Sequence, residues 1–449
     1  MKAIHNPYSK IMSGAAQYVI PVFQRDYKWT ESDCDQLWRD LLRIADEPGD
    51  RGHFIGSVVY ISTAEISSSF TQWLLIDGQQ RVTTLSLLAA ALRDHIRDSE
   101  WTGSEGGPTA RKIESYFLKN AEEEGERAYK LRLRRHDQAT LRAIIDGTEL
   151  PREASERIRD NYDFFREQLK DADPEAVYRG IGRLVVVDVT LDRGVDDPQL
   201  IFESLNSTGI DLSQSDLIRN FILMRLPEKE QSRLYDTYWH RIENLFRESE
   251  KTFDDFVRDF LAMRTRASKQ EKADKVYFAF RREFGSLGAD PGQLDGFLAE
   301  LYRFARYYAA FSIGSEDWAP LREPLARLRR LVDVPAMLVM RLFECHEGGT
   351  LKTAEFVTAL ELIESYIFRR AICGEQTRGY WQVFASLVYG IQTERPLESL
   401  KVGLARPPDN YRFPDDAEFR SALEDRDIYG KRVCVDLLDR LENHGSKDP

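Results

Sequence analysis

Residues 74–85, LLIDGQQRVTTL, set a carboxylate, a glycine, two amides and a guanidinium in consecutive positions between an apolar run and an amphipathic pattern. Val82, Leu85, Leu88, Leu92 and Ile96 share one helical face, which predicts a helix beginning near Arg81. A cation in the first turn opposes the positive end of the helix dipole by about 0.3–1 kcal/mol. An anion docking there reverses that sign. A strand leading through Gly78 into a helix N-terminus is a phosphate-binding arrangement, and Arg81 can add a bidentate grip. Asp77 at the strand end could hold Mg²⁺ or a ribose hydroxyl, while Gln79 and Gln80 could position water or read a base. The same residues also suit an ordinary Asp77–Arg81 surface pair with Gly78 in a turn.

Two further polar knots follow apolar stretches. YVIPVFQRDYKW (18–29) carries Gln24, Arg25, Tyr27 and Trp29, and rings beside an arginine suit stacking on a base while gripping a phosphate. They equally suit a strand edge whose rings pack inward. Thr30 and Asp33 then form a capping-box pattern. FESLNSTGIDLSQSDLIRNF (202–221) offers Asn206 and Gly209 in a turn, Ser213 and Asp216 as a second capping box, and Asn220 as an amide that could serve a nucleotide. Basic stretches supply DNA candidates: Arg132, Arg134 and Arg135 in RAYKLRLRRHD, and Arg369 and Arg370 ahead of Tyr380 and Trp381. Each could also be a solvated face.

The elements that must position these residues divide by texture. HFIGSVVYI (53–61), WLLI (73–76) and RLVVVDVTL (183–191) read as strands, with helical segments between, so residues 1–227 are predicted to be an α/β domain with a helical insertion at about 105–175. Residues 228–449 repeat apolar positions at three- and four-residue spacing, as in Leu321, Leu325, Leu328 and Leu331, and predict an all-helical domain. The fold class is α+β. The 449 residues carry 63 Lys and Arg against 75 Asp and Glu, a formal charge of −12 that disfavours diffuse attraction to a polyanion. Any DNA contact therefore needs a local basic surface. The sequence shows no signal peptide and no apolar run of spanning length, which predicts a cytoplasmic protein without membrane contact. The four cysteines form no C-x-x-C pair and read as reduced packing residues. No Walker A pattern occurs.

IPVFQRDYKW, HFIGSVVY, LLIDGQQRVTTL and FESLNSTGIDLSQSDLIRN, in this order, resemble the N-terminal domain of the GmrSD and SspE group of modification-dependent restriction enzymes. YIFRRAICGEQTRGYWQVFASLV (366–388) resembles the helical segment that follows it. The resemblance implies a ParB/sulfiredoxin-like fold that hydrolyses a nucleoside triphosphate, with GTP preferred, senses modified phage DNA and controls an HNH nuclease. It slightly favours phosphorothioate over glucosylated cytosine as the modification. It places Asp77, Gln79, Gln80 and Arg81 in catalysis, with Mg²⁺ on Asp77. Gln24, Arg25, Tyr27, Gly78, Thr83, Thr84, Asn206 and Gly209 would bind nucleotide, and Trp29 and the five arginines named above would meet DNA. None of the seven histidines forms the H-x-x-P type motif of that nuclease, so the nuclease is expected to be truncated away or to be a separate subunit. A non-hydrolytic DNA-binding or regulatory module using the same pocket is the alternative. Dimerisation through the helical half stays open.

Overall fold

The computed structural model describes residues 1–49, 51–66, 70–99, 101–192, 194–206, 212–247, 249, 252–287, 290–315, 319–406 and 411–442. The chain divides into two compact units, Met1–Asp211 and Leu212–Pro449.

The first unit runs β1 (Lys2–Pro7), α1 (Tyr8–Met12), β2 (Ala16–Val19), α2 (Glu31–Asp46), β3 (His53–Ile66), β4 (Thr71–Asp77), α3 (Gln79–Asp98) and α4 (Ala110–Ile113). A π-helical turn, Glu114–Leu118, continues α4. There follow β5 (Leu131–Arg132), α5 (Arg135–Asp146), α6 (Glu156–Gln168), α7 (Pro174–Gly182), β6 (Leu184–Leu191) and α8 (Pro198–Asn206). The six strands form one mixed sheet in the order β1-β6-β3-β4-β2-β5. β4, β2 and β5 are parallel to one another, while β3 runs antiparallel to β4. The carboxyl ends of β2, β4 and β5 therefore lie beside the amino end of β3. In open α/β sheets, ligands bind outside the carboxyl ends of parallel strands.

Helix α3 is buried along most of its length, including Leu87, Leu88, Ala90, Ala91 and Leu92, none of which is exposed. Small alanines let neighbours approach it, and Leu75 of β4, Leu41 of α2, Phe165 of α6 and Val177 of α7 join the same apolar cluster. The stretch read as an insertion is thus part of the core: it supplies β5 to the sheet, and α6 packs along α3. β1 had no alternating apolar signature, because its residues are largely exposed at the sheet edge.

The second unit comprises α9 (Gln214–Leu223), α10 (Glu228–Leu234), α11 (His240–Phe246), α12 (Phe253–Thr265), α13 (Val276–Phe284), α14 (Pro291–Ser312), α15 (Ala319–Leu331), α16 (Ala336–Glu347), α17 (Thr353–Cys373), α18 (Tyr380–Gly390), α19 (Pro396–Ala405), α20 (Asp416–Asp425) and α21 (Arg432–Glu442). Its core is rich in rings, with Phe256, Phe260, Phe280 and Phe304 fully buried. The division falls before α9, not after residue 227, because polar contacts bind that helix into the second unit. Asp254 accepts from the Ser215 N–H at 2.7 Å, and Gln214 accepts from the Tyr277 N–H at 2.8 Å. Arg219 pairs with Asp216 and with Glu243. Among the described residues, no helix is long and apolar enough to cross a membrane.

Candidate functional site

Gly78 joins β4 to α3 with φ +91°, a backbone conformation that glycine adopts without steric cost. A Cβ there would lie 2.9 Å from the Ser57 carbonyl and 3.2 Å from Val58 Cα, so the turn also presses against β3. Helix α3 then starts without a side-chain cap and without an acidic residue in its first turn. Its first backbone bond is Val82 N–H to the Gly78 carbonyl at 3.0 Å. The amide groups of Gln79, Gln80 and Arg81 precede that bond at the positive end of a twenty-residue helix.

The side chains of this turn diverge, as helical spacing requires. Arg81 swings toward β3, where its guanidinium donates to the Ser57 carbonyl and lies over Gly56. Gly56 has φ +106° at a register irregularity between Phe54 and Ser57. Asp77 Oδ2 is 3.9 Å from Arg81 and accepts from the Ser57 hydroxyl at 3.3 Å. The Asp77 and Arg81 side chains keep 22% and 27% of their surface, so the pair is loose, solvent-reachable and worth little on its own.

Gln79 points the other way. It is buried, its Oε1 has no hydrogen-bond partner among the described residues, and it lines a cleft with Arg25, Tyr27, Gln80, Thr83 and Arg134. The cavity there, about 10 Å³, is far below the roughly 300–1,000 Å³ of small-molecule sites. It suits at most one water, not a phosphoryl group or a nucleotide. Arg25 is half-buried on this cleft, with no ion pair among the described residues.

Several expected ligand-binding residues have internal partners instead. Gln80 Oε1 accepts from the Lys28 N–H at 2.8 Å and the Trp29 N–H at 3.3 Å, while its amide nitrogen donates to the Asp26 carbonyl. Gln24 is buried and donates to the Ile76 carbonyl at 2.7 Å. Tyr27 is buried, with its hydroxyl 2.7 Å from Thr84 and accepting from Asn161 at 2.9 Å. Burial pushes its phenol well above the usual range. Trp29 packs against the core. The rings of 18–29 therefore face inward, and Gln24, Tyr27, Gln80 and Trp29 hold the loop instead of reading a base. Thr83 and Thr84 bond back to the carbonyls of Gln79 and Gln80. Gly209 and the Asn206 side chain lie outside the described residues.

The basic candidates also separate. Arg134 is tied to the Gln24 carbonyl at 2.9 Å and to Asp26 at 3.1 Å, which makes it a latch on the loop. Arg132 is half-buried on β5, and Arg135 is exposed at the start of α5. Arg370 has no exposed surface: it donates to the Tyr380 hydroxyl and to the carbonyls of Arg412 and Gln376, between the rings of Tyr366, Tyr380 and Tyr411. Arg369 pairs with Asp416 at 2.6 Å. These two arginines fasten the 411–416 segment to α17, and the expectation that Arg370 meets DNA is corrected. Sequence reading missed Gly56 and Ser57, although a glycine inside a strand pattern signals a bulge or close approach.

Residues 8–223 match the family model described as the GmrSD restriction endonuclease, N-terminal domain. The match covers just under half of the chain, and over residues 8–223 the chain is similar to that domain. The match spans strands β2 to β6, α3 and the Gly78 turn, and ends with α9. No curated protein matches the chain. The likeness to the GmrSD N-terminal domain supports a role in a restriction system.

Proposed function

We propose that this chain is the triphosphate-hydrolysing sensor portion of a modification-dependent restriction system. GTP is the preferred nucleotide in this reading, phosphorothioate DNA is its signal, and an HNH nuclease is the effector it controls from the cytoplasm. The observation that carries the reading is the uncapped N-terminus of α3, flanked by two guanidiniums, Arg81 on the β3 side and Arg25 on the β2 side. A polyphosphate laid across Gly78–Gln80 would meet backbone N–H groups from below and a cation from each side.

Among the described residues, no three His, Cys, Asp or Glu side chains gather to hold a metal ion by themselves. Magnesium usually binds through one or two carboxylates plus substrate phosphates, so Mg²⁺ enters as part of the Mg–triphosphate substrate, with Asp77 as its protein contact. The unpartnered Gln79 Oε1 would accept a hydrogen bond from the attacking water, as positioning amides do in other triphosphatases. Gln80 moves from the catalytic set to a positioning role, because its amide holds the backbone of 26–29.

Phosphate release from GTP, with and without phosphorothioate duplex, tests this. Arg81→Ala should abolish release while leaving the melting temperature within a few degrees. An unchanged rate would remove Arg81 from the chemistry. Nucleotide binding without any release would favour the non-hydrolytic module.

A further inference from the structure

A second cleft lies away from the α3 turn, between α1, the π-helical turn and α7. It offers about 320 Å³, within the range of small-molecule sites, and is lined by Ser9, Lys10, Ser13, Tyr116, Tyr178 and Gly182 among others. Its chemistry is one-sided. No carboxylate lines it, in a chain whose formal charge is −12. Tyr116 keeps 41% of its surface, although the π-helical turn that carries it is otherwise anchored by buried Phe117, which stacks on Tyr8 with ring planes 7° apart. Single-turn π segments are frequent at functional sites. Tyr178 is half-buried, with the Lys112 ammonium 5.2 Å from its ring centre. Lys10 is exposed at the end of α1, beside the hydroxyls of Ser9 and Ser13. A Cβ added at Gly182 would meet nothing within 4 Å, so that wall of the cleft is open.

Accessible rings beside a cation and paired hydroxyls, with no opposing carboxylate, suit one chemical class: a planar base carrying a phosphate. We propose that this cleft binds an unstacked nucleotide, its base against Tyr116 and Tyr178 and its phosphate against Lys10, Ser9 and Ser13. The site is separate from the Gly78 turn, and the assignment rests on the restriction-system role only in naming DNA as the source of the nucleotide.

The test uses the full chain and a short single-stranded oligonucleotide carrying 2-aminopurine, with deoxyadenosine monophosphate as a second arm. Binding of the strand should quench 2-aminopurine by stacking. Tyr116→Ala should weaken binding by roughly five-fold or more, and Tyr116→Phe should restore it. Lys10→Ala should flatten the salt dependence of binding. Gly182→Leu adds a side chain at an unstrained helix end and should block the cleft with the melting temperature retained. Competition by the monophosphate at equal strength would assign the same site to a free nucleotide. Unquenched fluorescence, or affinities of Tyr116→Ala and Gly182→Leu within two-fold of wild type, would overturn the assignment. Triphosphate hydrolysis measured on the same variants separates this outcome from failure of the Arg81 site, since Arg81→Ala should leave the quenching intact.

Discussion

Gly56→Ala tests whether the position of Arg81, and not only its charge, matters. The new Cβ would fall 2.5 Å from one Arg81 nitrogen and 2.9 Å from the guanidinium carbon. The colliding group is the tip of a flexible side chain, so the backbone need not move; Arg81 must leave. The stability loss should then reflect mainly the strained φ of +106°, about 1–3 kcal/mol. Gly147→Ala is the control, because Gly147 has φ +65° and open space around its would-be Cβ. It should cost a similar amount in urea unfolding and leave hydrolysis unchanged. Displacing the guanidinium by an ångström or more should lower kcat/KM for triphosphate by up to about 100-fold. Equal activity in the two folded variants would refute the placement argument, and with it the role given to the Ser57 carbonyl.

Gln80→Leu should destabilise the chain by about 1 kcal/mol, because the part-buried Lys28 and Trp29 N–H groups lose their acceptor; calorimetry against wild type measures it. Arg370→Leu should cost about 3–5 kcal/mol and loosen the 411–416 segment to proteolysis, and Arg370→Lys should not rescue it, since a point ammonium cannot reach Tyr380, Arg412 and Gln376 together. Burial raises the Asp259 carboxyl from 3.8 to about 6. The folded chain therefore keeps a proton that the unfolded chain releases, and stability falls as pH rises between about 4 and 6 and stays lower above. Asp259→Asn should gain in melting temperature relative to wild type from about pH 4.5 to about pH 7.5; a constant difference would show that this carboxyl is not the source.

Legibility in the sequence followed burial geometry. Strands β3, β4 and β6 were visible because each carries an uninterrupted apolar run, and α3 because its apolar face repeats over its whole length. Thr30 with Asp33 does form the predicted capping box, and Ser213 caps α9 through the Asp216 N–H. β5 was invisible, since two residues carry no period, and its place beside β2 is set by long-range pairing that local pattern does not encode. The same limit governed the site. Residue types around Gly78 announced an anion-binding turn, but which polar groups remain available depends on partners far along the chain. Gln79 and Gln80 are adjacent and chemically identical, yet one is orphaned in a cleft and the other is bonded to the 26–29 backbone.

That asymmetry explains why the turn tolerates a cation where helix electrostatics disfavour one. Arg81 is held by a backbone carbonyl, which accepts a hydrogen bond without neutralising the charge, and only loosely by Asp77. Arg134, by contrast, is close to a carboxylate and mostly buried, and its charge is already balanced by Asp26. A helix end that excludes acidic residues from its first turn, and positions its arginine on a neutral acceptor, retains a positive potential that a single internal ion pair would remove. Introducing such a pair is therefore the decisive perturbation. Ser57→Asp would set a second carboxylate beside Arg81 and against Asp77, and the lost Ser57–Asp77 hydrogen bond with the new like-charge contact should cost about 1–3 kcal/mol in stability. The fold should survive while triphosphate affinity drops by ten-fold or more in isothermal titration, and added salt should partly restore it by screening the new charge. Retained affinity would mean that the phosphates are held elsewhere.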